Sequence, residues 1–322
     1  MRAEAGIDAS LVDTLFRGAL VRLDAEPVEA DGYRWREIVT LNGRVGWVAD
    51  GDASDPWLAE LPDLGRGTPL VTLGTVCDVT PPLNPPATVV MDDGWVVAVN
   101  ASAGGGWVAR QLSSDGLDEV QGAIRGSPYL QRSADYLPQP KPGAVPPAHG
   151  ACQYTFTIPT VGGEPIVVSS VGWFGDEEES TFYQPSPERR TLDTLAGTLT
   201  NIAGVLDDEA WTGRALPYVA DEFVLRVEEG GGPAPVGAPV VDVAALGLGD
   251  LDAFGAAAGA GRCGTVPRAQ AFELARMLNQ AEPGLAVRLD MMPTPYFATD
   301  ERWFGLVLGP RLPGGEPRCP ES

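Results

Sequence analysis

Acid–base catalysis near neutral pH draws most often on histidine, and this chain has a single one, His149. It lies in a proline-rich stretch, four residues before Gln153. A Cys–His peptidase would need it beside Cys152 with a third group orienting the ring, and no such partner is evident. A zinc amidase would need several such ligands, and a serine triad fails on the same shortage. Carboxylate chemistry survives it. A glycoside hydrolase needs two acids about 5–10 Å apart, and Asp176-Glu177-Glu178-Glu179 and Asp207-Asp208-Glu209 supply acids. Runs of this kind read first as solvated faces, because adjacent like charges resist burial. No isolated acid stands in an apolar strand, so no catalytic residue is assigned. Gly259-Ala260-Gly261-Arg262-Cys263-Gly264 spells a dinucleotide motif, but Ala256-Ala257-Ala258 precedes it where a hydrophobic strand is required. No cofactor is expected from it. Asp50, Asp52 and Asp55 lack the glycine of a calcium loop and read as part of an acidic linker, so no metal is expected. Trp173-Phe174, Trp211 and Trp303-Phe304 could line a carbohydrate or peptide groove, yet each reads more simply as core or as a hairpin clasp.

The cysteines Cys77, Cys152, Cys263 and Cys319 form no C-x-x-C pair. An even count at wide spacing suits disulfides and an oxidising compartment. Three connectivities are open; the preferred one joins Cys263 to Cys319 and Cys77 to Cys152, against the alternative of four buried thiols in a cytosolic protein. The formal net charge of −22 sets the chain against nucleic acid and anionic lipid, since no basic cluster offsets it. No apolar window is long enough to span a membrane.

These residues must be held by short elements. With 40 glycines and 30 prolines among 322 residues, strands and turns should outnumber helices, giving a mainly β protein. Helical periodicity is convincing only near 187–204 and 265–281. Ser186 and Pro187 supply a cap and a first position, followed by a stripe of Leu192, Leu195, Ala196, Leu199, Ile202 and Ala203. The second stripe is Ala271, Leu274, Ala275 and Leu278. Strands are expected at 154–158 and 166–171 as a hairpin, then at 222–227, 286–290 and 304–308. Together they predict an α+β domain with an antiparallel sheet over 151–322. Residues 133–150 read as a proline-rich, semi-rigid linker.

Ahead of that linker the chain organises around Gly32-Tyr33-Arg34-Trp35-Arg36-Glu37-Ile38-Val39 and Gly43-Arg44-Val45-Gly46-Trp47-Val48. These predict two strands joined by a tight turn at Asn42-Gly43, both residues tolerating positive φ. Gly46 permits a close backbone approach. Trp95 precedes Gly106-Trp107-Val108 by the interval that separates Trp35 from Gly46-Trp47-Val48. With strand-like runs at 70–73, 88–91 and 95–99, a second small β domain, a degenerate copy of the first, is expected over 66–132.

The first run resembles the bacterial SH3 domain family, a small β-barrel found on extracellular proteins. Arg2, Gly18, Val21, Gly32, Trp35, Ile38, Gly43, Gly46, Trp47 and Val48 occupy its pattern, and the match covers residues 1–50. The resemblance implies an SH3-like barrel over 1–55 that contacts cell-wall peptide or another surface ligand through Tyr33, Trp35 and Trp47. The chain begins inside the family's first strand, so a truncated N-terminus, with an export signal upstream, is expected. The reading is an extracellular or cell-surface, non-enzymatic binding protein. A wall-active glycoside hydrolase and a structural surface protein are the alternatives.

Overall fold

Strand β3 of the N-terminal sheet shows how the local pattern becomes structure. Its run YRWREIVT places Trp35, Ile38 and Val39 inside at 4%, 0% and 5% exposure. The computed structural model of the protein describes residues 1–15, 19–51, 57–58, 67–76, 87–100, 106–146, 152–231, 233, 248, 250–258, 261–281, 287, 289, 296–298, 302–313 and 319. It divides into two units. Unit 1 comprises Met1–Pro62, Val219–Pro310 and Cys319–Ser322; unit 2 comprises Asp63–Tyr218 and Arg311–Arg318. The protein is mainly β.

In unit 1, strands β1 (Val21–Leu23), β2 (Val28–Ala30), β3 (Tyr33–Thr40) and β4 (Val45–Gly51) form an antiparallel sheet centred on β3. One side of β3 is shared by β1 and β2, which pair with its two halves (Leu23↔Ile38, Ala30↔Tyr33); β4 takes the other. Asn42-Gly43 does make the β3–β4 turn, with Gly43 N–H donating to Thr40 O at 2.9 Å, but only Gly43 is left-handed (φ 76°). The two-residue turn with positive φ at both positions lies instead at Asp31-Gly32 (φ 53° and 81°), between β2 and β3. Gly46 meets its expectation: a Cβ there would sit 2.7 Å from Arg2 O.

Unit 2 contains β5 (Pro69–Val76), β6 (Thr88–Met91), β7 (Trp95–Asn100), β8 (Gly106–Gln111), α1 (Ser114–Gly126), β9 (Ala134–Tyr136), β10 (Gln153–Ile158), β11 (Ile166–Val171), α2 (Asp176–Phe182), α3 (Pro187–Thr200), α4 (Ile202–Val205) and β12 (Leu216–Pro217). The strands form one sheet in the order β12-β8-β7-β6-β5-β10-β11-β9, antiparallel except for β9 against β11. Val71, Leu73, Val90, Val96, Phe156 and Val168 on one face pack with Val120 and Ile124 of α1 and Leu192, Ala196 and Leu199 of α3. This is one layer of helix on one layer of sheet.

This sheet corrects the expected boundaries. The strands foreseen within 66–132 form, but they do not close on themselves: β5 pairs with β10, with Leu73 opposite Phe156, so the sheet runs across residues 133–150. The described part of that segment, 133–146, is not a free spacer. Residues 134–136 are β9, and Lys141 N–H donates to Phe182 O while Gln184 N–H donates to Gln139 O, both at 2.8 Å. The expected domain over 151–322 is likewise divided, its first part, through Tyr218, lying in unit 2 and 219–310 in unit 1. Helix α1 was not expected. Its apolar signal is short, but Ser113 Oγ accepts from Gly116 N at 3.2 Å as a cap, and a Cβ at Gly116 would lie 2.4 Å from Ala210 O.

The rest of unit 1 is a five-stranded antiparallel sheet of β13 (Glu222–Glu229), β14 (Ala256–Ala258), β15 (Gly261–Pro267), β16 (Tyr296–Ala298) and β17 (Trp303–Pro310), with α5 (Arg268–Ala281). Its order is β14-β15-β13-β17-β16. The expected stripe of α5 is buried at Ala271, Leu274, Ala275 and Leu278. The helix starts three residues later than foreseen because Gly261–Pro267 is extended and paired with β13. Residues 261–264 of the glycine motif therefore run along a strand, the wrong geometry for cradling a pyrophosphate on a helix N-terminus. The strand expected at 286–290 lies mostly outside the described residues. Cys263 is bonded to Cys319, closing a separation of 56 residues; by loop entropy such a link contributes about 4 kcal/mol. Cys152 is also disulfide-bonded, and Cys77, its expected partner, lies outside the described residues, as does His149. No helix of the described residues is long and apolar enough to cross a membrane.

Candidate ligand-binding surface

The N-terminal sheet has two ends, separated by the length of β3. Eight residues at about 3.3 Å each put them about 26 Å apart. One end, the turn at 40–44, is covered by α5. Asn279 Nδ2 donates to Leu41 O at 3.1 Å and to Val287 O at 3.0 Å, and its Oδ1 accepts from Val287 N at 2.6 Å. A Cβ at Gly43 would overlap the Gln280 side chain. Arg22 pairs with Glu273 and lies over the Phe272 ring at 5.4 Å. Burial raises the Glu273 carboxyl, but hydrogen bonds from Arg276 and Arg22 outweigh it and hold the group below its ordinary value.

The other end carries an aromatic pair with one ring open to solvent. Tyr33 and Trp57 approach with ring centroids 5.5 Å apart and planes tilted by 46°. Trp57 is 53% exposed, and its N–H donates to Asp50 O at 2.6 Å, which anchors it against the end of β4. Arg34 Nε and Arg36 Nε both donate to the side chain of the same Asp50, at Oδ2, at 2.8 and 3.1 Å.

The three residues named from the sequence thus take different places. Tyr33 is half-buried, with its ring against that of Trp57. Trp35 belongs to the core, with its Nε1 donating to Ala30 O at 3.0 Å, so its ring is not free to stack on a ligand. Trp47 is half-buried, and its backbone exchanges two 2.7 Å hydrogen bonds with Arg2. Trp57 was missed because 51–66 reads as an acidic linker; a lone tryptophan in that polar run was the available signal. Asp50, part of the suspected calcium run, is the counterion of two arginines, and Asp52 and Asp55 lie outside the described residues. No cluster of three or more metal-ligating side chains occurs among the described residues.

The acidic run at 176–179 has a different use. Glu179 is 4% exposed, and both its oxygens accept from Arg189, at 3.0 and 2.8 Å. Arg189, fully buried, also donates to Val171 O and Gly172 O. Trp173, Phe174 and Tyr183 surround the guanidinium at 5.7, 5.7 and 5.9 Å, and Phe174 stacks on Tyr183. Burial, reinforced by Glu178 and Glu179, pushes the Tyr183 phenol up and keeps it neutral. A carboxylate clamped on both oxygens has none left for proton transfer to a substrate. Trp211 and Phe304 are 7% and 3% exposed, which makes them core. Compared with family models, curated proteins and solved structures, the chain matches none.

Proposed function

We propose that the chain is a non-enzymatic binding protein of the extracellular space or cell surface, and that its ligand docks on Tyr33 and Trp57. The observation that carries this is the asymmetry of the N-terminal sheet: α5 covers one end, while the other presents an exposed Trp57 against the half-buried Tyr33 ring. An aromatic pair offers apolar area and polar edges together, which suits peptide or sugar recognition. The resemblance of residues 1–50 to bacterial SH3 domains supports cell-wall peptide or another surface ligand. Disulfide-bonded Cys152, Cys263 and Cys319 support an oxidising compartment.

Co-sedimentation of the full chain with purified peptidoglycan tests the proposal. The wild type should pellet, and Trp57→Ala should remain in the supernatant with its melting curve unchanged. Retention of Trp57→Ala in the pellet would refute docking on this pair.

A further inference from the structure

The chain carries 44 acidic residues against 22 basic ones, and two of its arginines each face two acids. Arg22 faces both Asp24 and Glu273, and Arg302 faces both Asp252 and Glu229. At the end of β3 the ratio is inverted. Arg34 and Arg36 share one carboxylate, and through one oxygen of it, Asp50 Oδ2. The Asp50 side chain is 7% exposed, whereas those of Arg34 and Arg36 are 42% and 25% exposed. Each guanidinium uses its Nε for Asp50. Among the described residues, the Nη groups of both make no further hydrogen bond.

Three physical consequences follow. The common acceptor holds two like charges side by side, so the two arginines and Asp50 together carry one positive unit. The Nε contacts fix both planes, which lowers the rotamer entropy lost when the free edges engage an anion. The free edges are two-pronged donors matched to the two oxygens of a carboxylate. A polyanion would be repelled by the overall charge of −22; a single carboxylate is the charge the site can balance. The exposed Trp57 ring, whose backbone N–H donates to Asp50 O at 2.6 Å, supplies a stacking face on the residue that anchors both arginines.

We infer that Arg34 and Arg36 form an oxyanion site for a ligand with one carboxylate on a sugar ring, Trp57 stacking on the ring. This rests on the binding surface proposed above and specifies its ligand class. Asp50 is the internal competitor: it occupies the pair's inner edge and sets its orientation.

Calorimetric titration of the full chain with cellobiouronic acid and with cellobiose tests it, because the two sugars differ only in carboxylate against hydroxymethyl. The acid should bind about tenfold or more tighter. The double variant Arg34→Gln/Arg36→Gln should lose that preference while its weak cellobiose binding persists. Asp50→Asn, which keeps an acceptor oxygen but removes the competing charge, should tighten acid binding several-fold. A pair that merely braces the fold would give no such gain. Equal binding of the two sugars, no binding of either, or a preference that survives the arginine double variant would overturn the inference. If the preference is absent while Trp57→Ala still abolishes wall sedimentation, the carboxylate site falls and the docking surface stands; if Trp57→Ala has no effect on sedimentation, the docking surface itself falls.

Discussion

Two arginine–carboxylate clusters in this molecule use the same groups to opposite ends. In unit 2, Glu179 and Arg189 meet one to one, with both carboxylate oxygens filled, the guanidinium capped by two backbone carbonyls, and three aromatic rings around it. In unit 1, Arg34 and Arg36 share a single oxygen of Asp50 and face solvent. The first cluster is saturated, and everything it can bind is already bound. The second has donors to spare. Saturation separates a structural brace from a surface with capacity for a ligand, and it does so where charge and residue type do not.

The largest effect expected from breaking this contrast is at the closed cluster. Glu179→Ala leaves a buried guanidinium without its counterion and should cost about 3–5 kcal/mol, read from denaturant unfolding. Glu179→Leu/Arg189→Met should recover most of that loss, because replacing both partners removes the unpaired charge. Asn279→Ala comes next. It strips the partners of Leu41 O, Val287 O and Val287 N, and should lower stability by about 1–3 kcal/mol. At the open end, Gly32→Ala should cost about 1–2 kcal/mol. No atom lies within 4 Å of the added Cβ, so the cost there is the left-handed backbone (φ 81°) alone. Smaller again is the acid response of Glu273. Its carboxyl is held below the ordinary value in the folded state, so its contribution is present above that ordinary value and is lost as pH falls through the folded one. The group is partly exposed and the effect correspondingly screened. Glu273→Gln should therefore flatten, slightly, the pH dependence of stability on the acid side of pH 4.5. Trp57→Ala should change unfolding by no more than about 0.5 kcal/mol, as expected of an exposed side chain.

What the sequence disclosed divides along the same line between local and distant. Strands β3 and β4, the stripes of α3 and α5, and the Cys263–Cys319 bond were legible, the elements because their signals repeat within a few residues. The pairing of β5 with β10 was not, since nothing in Leu73 or Phe156 names the other as its neighbour across the proline-rich segment. The acids at 176–179 were read as a solvated face, yet four acids in the first turn suit the N-terminus of α2 and bring Glu179 within reach of Arg189. Of the proposed surface, Tyr33 was named from the sequence. Trp57 escaped because its place depends on a backbone bond to Asp50, and Arg34 and Arg36 read as the polar face of a strand.

The most direct test of the account follows the indole N–H resonances of the full chain by NMR as solubilised peptidoglycan fragments are added, with the Trp57 signal assigned from Trp57→Phe. The account predicts that Trp57 shifts while Trp35, bonded to Ala30 O, and Trp173, bonded to Asp176, stay fixed. A shift at Trp173 with Trp57 unmoved would contradict it and move the binding surface to the cluster described here as closed.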